Sequence, residues 1–212
     1  MNTIMRFLRA ALMLASFSFV LSGIAFANAV TYDFTVDTSS ISGQSGWLDF
    51  QFNPGTLGSQ AATATVTGFN GGTLDSGTQQ LTGDVTGTLP ATLDFDNGSG
   101  FNDYFQSLTF GSSLAFQVHL DGPALTMPDG MSASGSTFTL SLYDSTVSNA
   151  LLTSSPDGDV LRTDVNLDGT TTLTTYPNEN GGPSDVHVPE PASLGLLASG
   201  AFGLLALRKR RQ

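Results

Sequence analysis

The sequence predicts an all-β fold, an antiparallel β-sandwich of jelly-roll-like size, flanked by an N-terminal signal helix and a C-terminal transmembrane helix. Three observations carry this. Through the middle of the 212-residue chain apolar residues recur at every second position, turn sequences rich in Gly, Asn, Asp and Pro separate these runs, and an apolar run bordered by basic residues lies at each end. A β-barrel is the lesser alternative for the same strand pattern.

The N-terminal element comes first. Met1 to Arg9 is short and basic, and Ala10 to Ala27 is uncharged and largely apolar, ending in small residues. This is the three-part layout of a secretory signal peptide, assigned to residues 1–27. Small-x-small sites stand at Ala25-Phe26-Ala27 and Ala27-Asn28-Ala29, which places cleavage after Ala27 or after Ala29.

The central domain, residues 30–177, reads as strands. Tyr32, Phe34 and Val36 alternate with polar residues, as do Leu48, Phe50 and Phe52, then Leu114, Phe116, Val118 and Leu120, then Phe138, Leu140 and Leu142. Weaker strands fall at 61–66, 81–85, 93–95, 104–110, 160–167 and 171–176. Asn53-Pro54-Gly55, Asn70-Gly71-Gly72, Asn97-Gly98, Asp121-Gly122-Pro123, Pro128-Asp129-Gly130, Pro156-Asp157-Gly158 and Asp168-Gly169 supply the turns. Phe34, Phe50, Phe116, Val118, Phe138 and Leu140 are expected in the core. The many Thr and Ser residues suit exposed pleated faces, because a β-branched side chain fits there.

Composition excludes several functions. Between Val30 and Val188 stand 17 acidic residues against the single Arg162, a formal charge of −16. Such a surface has no Lys and Arg with which to displace phosphate counterions, so nucleic acid is not a partner. With no Cys and two His, His119 and His187, the chain has no disulfide framework, thiolate site or imidazole-built zinc centre, and the residues call for no cofactor.

Candidate sites are few. Asp164, Asn166 and Asp168, followed by Gly169, open like a calcium loop, but the twelfth position is Thr175 where a bidentate Glu is required. The same residues fit a strand running into a hairpin turn. Asp94 and Asp96, with Asn97, Asn102 and Asp103 nearby, form a second cluster of oxygen ligands that also fits a strand end and turn. His119 belongs to the polar face of its strand, beside Gln117. Trp47, Tyr104, Tyr143 and Tyr176 are the aromatics able to stack on sugar rings, although strand aromatics usually pack against one another. No Gly-x-Ser-x-Gly elbow is present, and Glu179 and Glu190 both lie outside the strands, so the domain is expected to be non-enzymatic.

A polar linker, residues 178–187, leads to the C-terminal element, residues 188–212. Pro189, Glu190 and Pro191 stand before an uncharged stretch, 192–207, rich in Leu, Ala and Gly, and Arg208, Lys209, Arg210 and Arg211 follow at once. The prolines forbid helix and keep Glu190 extended. A 16-residue helix is about 24 Å long, short of a ~30 Å hydrocarbon core unless flanking residues snorkel. The basic cluster, 208–211, holds its end on the cytoplasmic side.

Pro189-Glu190-Pro191, the apolar helix and the closing Arg-Lys-Arg-Arg together resemble the PEP-CTERM sorting signal of Gram-negative bacteria. The resemblance implies processing by exosortase, a membrane-embedded cysteine transpeptidase-like enzyme. It also implies passage through the export machinery, a transient stay in the inner membrane, release to the cell surface or outside, and association with exopolysaccharide and biofilm. Extracellular polysaccharide is then the expected surroundings of the central domain. The alternatives of a different class are a carbohydrate- or calcium-binding module and a polysaccharide-modifying enzyme. Exposed aromatics along a groove would mark the first; paired Asp residues of perturbed pKa in a cleft would mark the second.

Overall fold

The structure, a computed structural model, describes residues 29–178 and 184–188. The expected signal helix, the apolar stretch 192–207, the motif Pro189, Glu190, Pro191 and the basic cluster lie outside the described residues. Among the described residues thirteen strands are present: β1 (Val30–Asp37), β2 (Ser45–Pro54), β3 (Thr63–Asn70), β4 (Thr73–Leu74), β5 (Gln80–Thr82), β6 (Val85–Gly87), β7 (Leu93–Asp96), β8 (Asp103–Thr109), β9 (Ser113–Asp121), β10 (Ser136–Asp144), β11 (Asp159–Val165), β12 (Thr171–Thr175) and β13 (Val186–His187). The one α-helix among the described residues, α1, is the single turn Pro123–Thr126.

All pairings are antiparallel, in two sheets. The first sheet has the order β13-β1-β9-β3-β7-β6, and the second β12-β11-β10-β2-β8-β4, with β5 also on β8. The chain moves repeatedly from one sheet to the other, so most strands pair with partners distant in sequence. Gly71 (φ 124°) and Gly72 (φ 63°) make the crossing from β3 to β4 possible, because the left-handed region is open to a residue without Cβ. Ala29 directly precedes β1. The linker reading gains a correction at its end: Val186 and His187 are not linker but edge strand, opposite Val36 and Thr35. Two residues are too few for periodicity to register.

Alternation becomes burial directly. On β9 every second residue from Leu114 to Leu120 is buried, and β10 buries Phe138, Leu140 and Leu142 likewise. Aromatic contacts join the sheets. Phe50 of the second sheet meets Phe116 of the first edge-on at 5.0 Å and Phe69 at 6.5 Å, and Phe138 meets Phe95 at 6.4 Å. Such geometries match ring edge to ring face. Leu125 of α1 is buried as well, and the helix is fixed by the bond from Ala124 N–H to the Ala61 carbonyl, 3.0 Å.

Two predictions follow from this packing. Phe50→Ala should cost about 3–5 kcal/mol, because it removes a fully buried ring and leaves a cavity between the sheets. Thermal unfolding should register a fall of roughly 10 °C or more. Phe101→Ala, at a half-exposed ring, should change the melting temperature little. Equal losses at both positions would contradict the assignment of the core.

Candidate functional site

Two regions have functional geometry. The first is the free side of β1. There β13 runs antiparallel to β1, with Val36 opposite Val186 and Thr35 opposite His187, and Asp37 N–H donates to the Asp185 carbonyl at 2.8 Å. Val186 is buried and packs into the core, and Ser184 Oγ accepts a bond from its N–H at 3.2 Å. Because the strands are antiparallel, the start of β1 and the end of β13 point the same way. His187 stands opposite Thr35, so β13 runs toward the Val30 end of β1 and stops short of it. Ala25 and Ala27 lie outside the described residues, as does the sorting element itself.

The second region is the outer face of the second sheet. Strands that bury Leu48, Phe50 and Phe52 inward must turn Trp47, Asp49, Gln51 and Asn53 outward, since successive side chains alternate. On the flanking strands the outward residues include Asp103 and Phe105 on β8, Ser141 and Tyr143 on β10, and Asp159 on β11. Trp47 and Phe105 stack at 4.6 Å with their planes 5° apart, and Tyr143 lies 6.3 Å from Phe105. All three rings are partly exposed.

Beside this aromatic shelf Asp49 is only 6% exposed. Its Oδ2 accepts from Gln51 Nε2 at 2.7 Å, and Gln51 Oε1 in turn accepts from Asn53 Nδ2 at 2.9 Å. The Oδ1 atoms of Asp49 and Asp103 are buried without a donor. The two are diagonal neighbours on one face, since Asp103 stands opposite Gln51 and Asp49 opposite Phe105. Burial, and then the hydrogen bond to Asp103, push the Asp49 carboxyl up to about 8. Burial raises Asp103 too, and also Asp159, whose Oδ1 accepts from Ser141 Oγ at 3.4 Å. The pair titrates as a unit and holds one proton near neutrality.

The sequence-level candidates divide between structural and open positions. Asp164 Oδ1 accepts from Arg162 Nε at 2.9 Å and from Thr137 Oγ1 at 2.7 Å. Asn166 gives its amide hydrogens to Thr170 and Thr172, and Asp168 Oδ1 caps the turn by accepting from Thr170 N–H and Oγ1. Asp94 accepts from Thr65 Oγ1 and Asp96 from Gly98 N–H. Together with Asp84 these two line a shallow hollow on the first sheet. Asn97 and Asn102 are buried amides that tie strand ends to one another, through Ala62, Gln60 and Ser136 for the former and Phe52, Ser99 and Asp84 for the latter. Among the described residues no three His, Asp or Glu side chains converge as a metal site.

His119 is partly exposed and its Nδ1 is 2.8 Å from Thr31 Oγ1. Tyr104 is wholly buried, its hydroxyl bonded to Gln106 Oε1 at 2.5 Å and to Leu89 N–H at 3.1 Å, so it presents no face to a ligand. Trp47 and Tyr143 do share a face, joined by Phe105. Sequence reasoning missed the Asp49–Asp103 pair. Its one signal was Asp, a poor strand former, between Leu48 and Phe50 at the centre of an otherwise strong strand.

The described residues form an acidic β-sandwich whose last strand, β13, lies at the sheet edge beside the first. Residues 187–211 match the family model described as the PEP-CTERM protein-sorting motif, and the match begins at the last residue of β13. The chain thus carries that motif, which implies an exported protein processed by exosortase and sorted to the cell surface. Comparison with curated proteins and with solved structures finds no match. Among the described residues no helix is long and apolar enough to cross a membrane.

Two expected outcomes test the site. An acid whose pKa is raised on folding stabilises the fold fully below its unfolded value, near 4, and that contribution is lost as pH rises toward about 8. The parent's melting temperature should therefore fall across this window more steeply than that of Asp49→Asn, and at pH 8 the variant should be the more stable by several degrees. A variant destabilised equally at pH 5 and pH 8 would show that Asp49 is needed as a charge. Millimolar Ca²⁺ should leave the melting temperature nearly unchanged, because Asp164 is already matched by Arg162; a rise of several degrees abolished by Asp164→Ala or Asp94→Ala would reverse that assignment.

Proposed function

We propose that the chain is a non-enzymatic surface or extracellular-matrix protein that works among extracellular polysaccharides after exosortase has processed it at Pro189, Glu190 and Pro191. In this reading the signal peptide is removed after Ala27 or Ala29, residues 192–207 hold the motif at the inner membrane, and Arg208 to Arg211 stop transfer. The observation that carries it is the sorting motif matched over residues 187–211, directly at the end of the last strand of the domain. The formal charge of −16 over 30–188 suits solubility outside the cell.

A second reading, polysaccharide binding by the outer face of the second sheet, is favoured by Trp47, Phe105 and Tyr143 lying together on that face. A hydrolase is the weaker reading of the same face, because Asp49 at 6% exposure offers a substrate almost no access. Trp47→Ala should lower retention on purified exopolysaccharide several-fold while the fold survives; unchanged retention would favour a role without a specific sugar contact.

Sorting is tested more directly. Glu190 is the single charge from Val188 to Leu207, and it stands between two prolines directly before the apolar stretch. Glu190→Ala, or replacement of both prolines, should leave export intact and block maturation, so that a form lacking only its signal peptide accumulates in the inner membrane. Normal release of the variant would make the tail a plain anchor.

A further inference from the structure

We infer that one end of the sandwich is a lipid-facing surface: the loops 55–62, 97–102, 122–135 and 166–170 rest their apolar side chains on the bilayer that holds the chain. This rests on the reading of residues 192–207 as the membrane-holding segment. Among the described residues seven large apolar side chains are exposed, and single ones scattered over a surface would need no explanation. These are not scattered. Leu57, Phe101, Met127, Met131 and Leu167 stand on those four loops, and Leu81 lies opposite Tyr104, one position inside the same end. Of the seven only Val147 is at the other end.

The loops form one surface because their flanking strands end together: Ser136 stands opposite both Pro54 and Val165, and Thr63 opposite both Asp96 and Asp121. Polar bonds knit the loops to one another. Gln60 Nε2 donates to the Met127 carbonyl at 2.8 Å, Gln60 Oε1 accepts from Asp129 N–H at 2.9 Å, and Leu57 lies so close to Gly100 that a Cβ there would meet it at 3.3 Å. The place where the chain enters says what covers this end. Val30 stands opposite Leu120, one position from the end of β9, and the apolar run Ala10 to Ala27 stops three residues, at most about 10 Å of chain, before it. On the C-terminal side β13 heads toward the same end. Ala192 is five residues on from His187, up to about 17 Å of chain, and Val30 is five positions from Thr35, opposite His187, about the same length of strand. A chain held in the bilayer from Ala192 therefore has no slack with which to lift the apolar loops clear. Asp84, Asp96, Asp121, Asp129 and Asp168 are also at this end, and the one Arg of the described residues, Arg162, lies three positions inside β11, so the surface suits zwitterionic headgroups rather than anionic ones.

The chain has no Cys, so Met131→Cys or Val147→Cys carries a fluorescent dye at one place only. The full chain is reconstituted in phosphatidylcholine vesicles whose acyl chains bear a nitroxide, a quencher that acts only at close range. The expected result is that the dye on Met131→Cys is quenched several-fold more than the same dye on Val147→Cys, which also controls for the dye's own affinity for lipid. Adding Leu57→Asp and Met127→Asp should bring the first signal down toward the second and leave the melting temperature nearly unchanged, since both side chains are exposed. Equal quenching at the two positions would overturn the proposal. So would a dye on Met131→Cys that is shielded from iodide in the water yet unquenched by the lipid, because a second copy or another protein would then be the cover. Flotation separates the two claims. A chain that does not float with the vesicles sinks the membrane-holding reading and this surface with it, whereas a floating chain with the dye on Met131→Cys unquenched sinks the surface alone.

Discussion

Everything in this domain depends on the aromatic contact between its two sheets. Phe50 stands at the centre, touching Phe138 on its own sheet at 5.8 Å and Phe116 and Phe69 across the gap. Phe116 carries the contact on to Phe34 of β1 at 5.3 Å. Because the chain alternates between sheets, neither can be completed before the other, and a fold dominated by such non-local pairs forms as a unit and slowly. The same line of rings fixes β1, and β1 fixes β13. The segment that precedes the sorting motif is thereby tied to the centre of the core through a few side chains.

The acidic surface and the buried acid are two consequences of one composition. With 17 carboxyls and one Arg between Val30 and Val188, most carboxylates must find neutral donors. The exposed ones do so at turns: Asp144 accepts from Asn149, Thr146 and Ser148, which holds it well below the usual carboxylate range, and Asp168 and Asp129 are lowered by turn donors in the same way. These contributions fade when acid protonates the turns, whereas those of Asp49 and Asp103 fade when base ionises the buried carboxyls. The two effects have opposite signs, so stability is expected to be lost both in strong acid and as pH rises toward about 8. At Asp49 burial favours the protonated, neutral carboxyl instead, because a charge with so little water around it is costly.

The strands were legible because half-buried strands write their burial into the sequence at period two. β2, β9 and β10 could be read residue by residue, and Phe34, Phe50, Phe116, Val118, Phe138 and Leu140 are all buried. The order of strands was not legible, since nothing local tells β1 to pair with β9 rather than β2. β13 was hidden for a related reason: Val186 looks like any residue of a polar linker until β1 stands beside it. The oxygen-rich turns were legible as strand ends, but nothing local showed that Asn97 and Asn102 are buried ties between them. Asp49 and Asp103 are 54 positions apart, and only their register on β2 and β8 brings them to one place. The sorting motif was the opposite case, because its residues are contiguous and need no fold to be recognised.

The central claim is that the domain is addressed at both ends and loses both addresses. Intact-mass and terminal-peptide measurement on the protein recovered from outside the cell tests it most directly. The account expects an N-terminus at Asn28 or Val30 and a C-terminus that lacks residues 192–212. Recovery of a released protein that still carries Arg208 to Gln212 would contradict it.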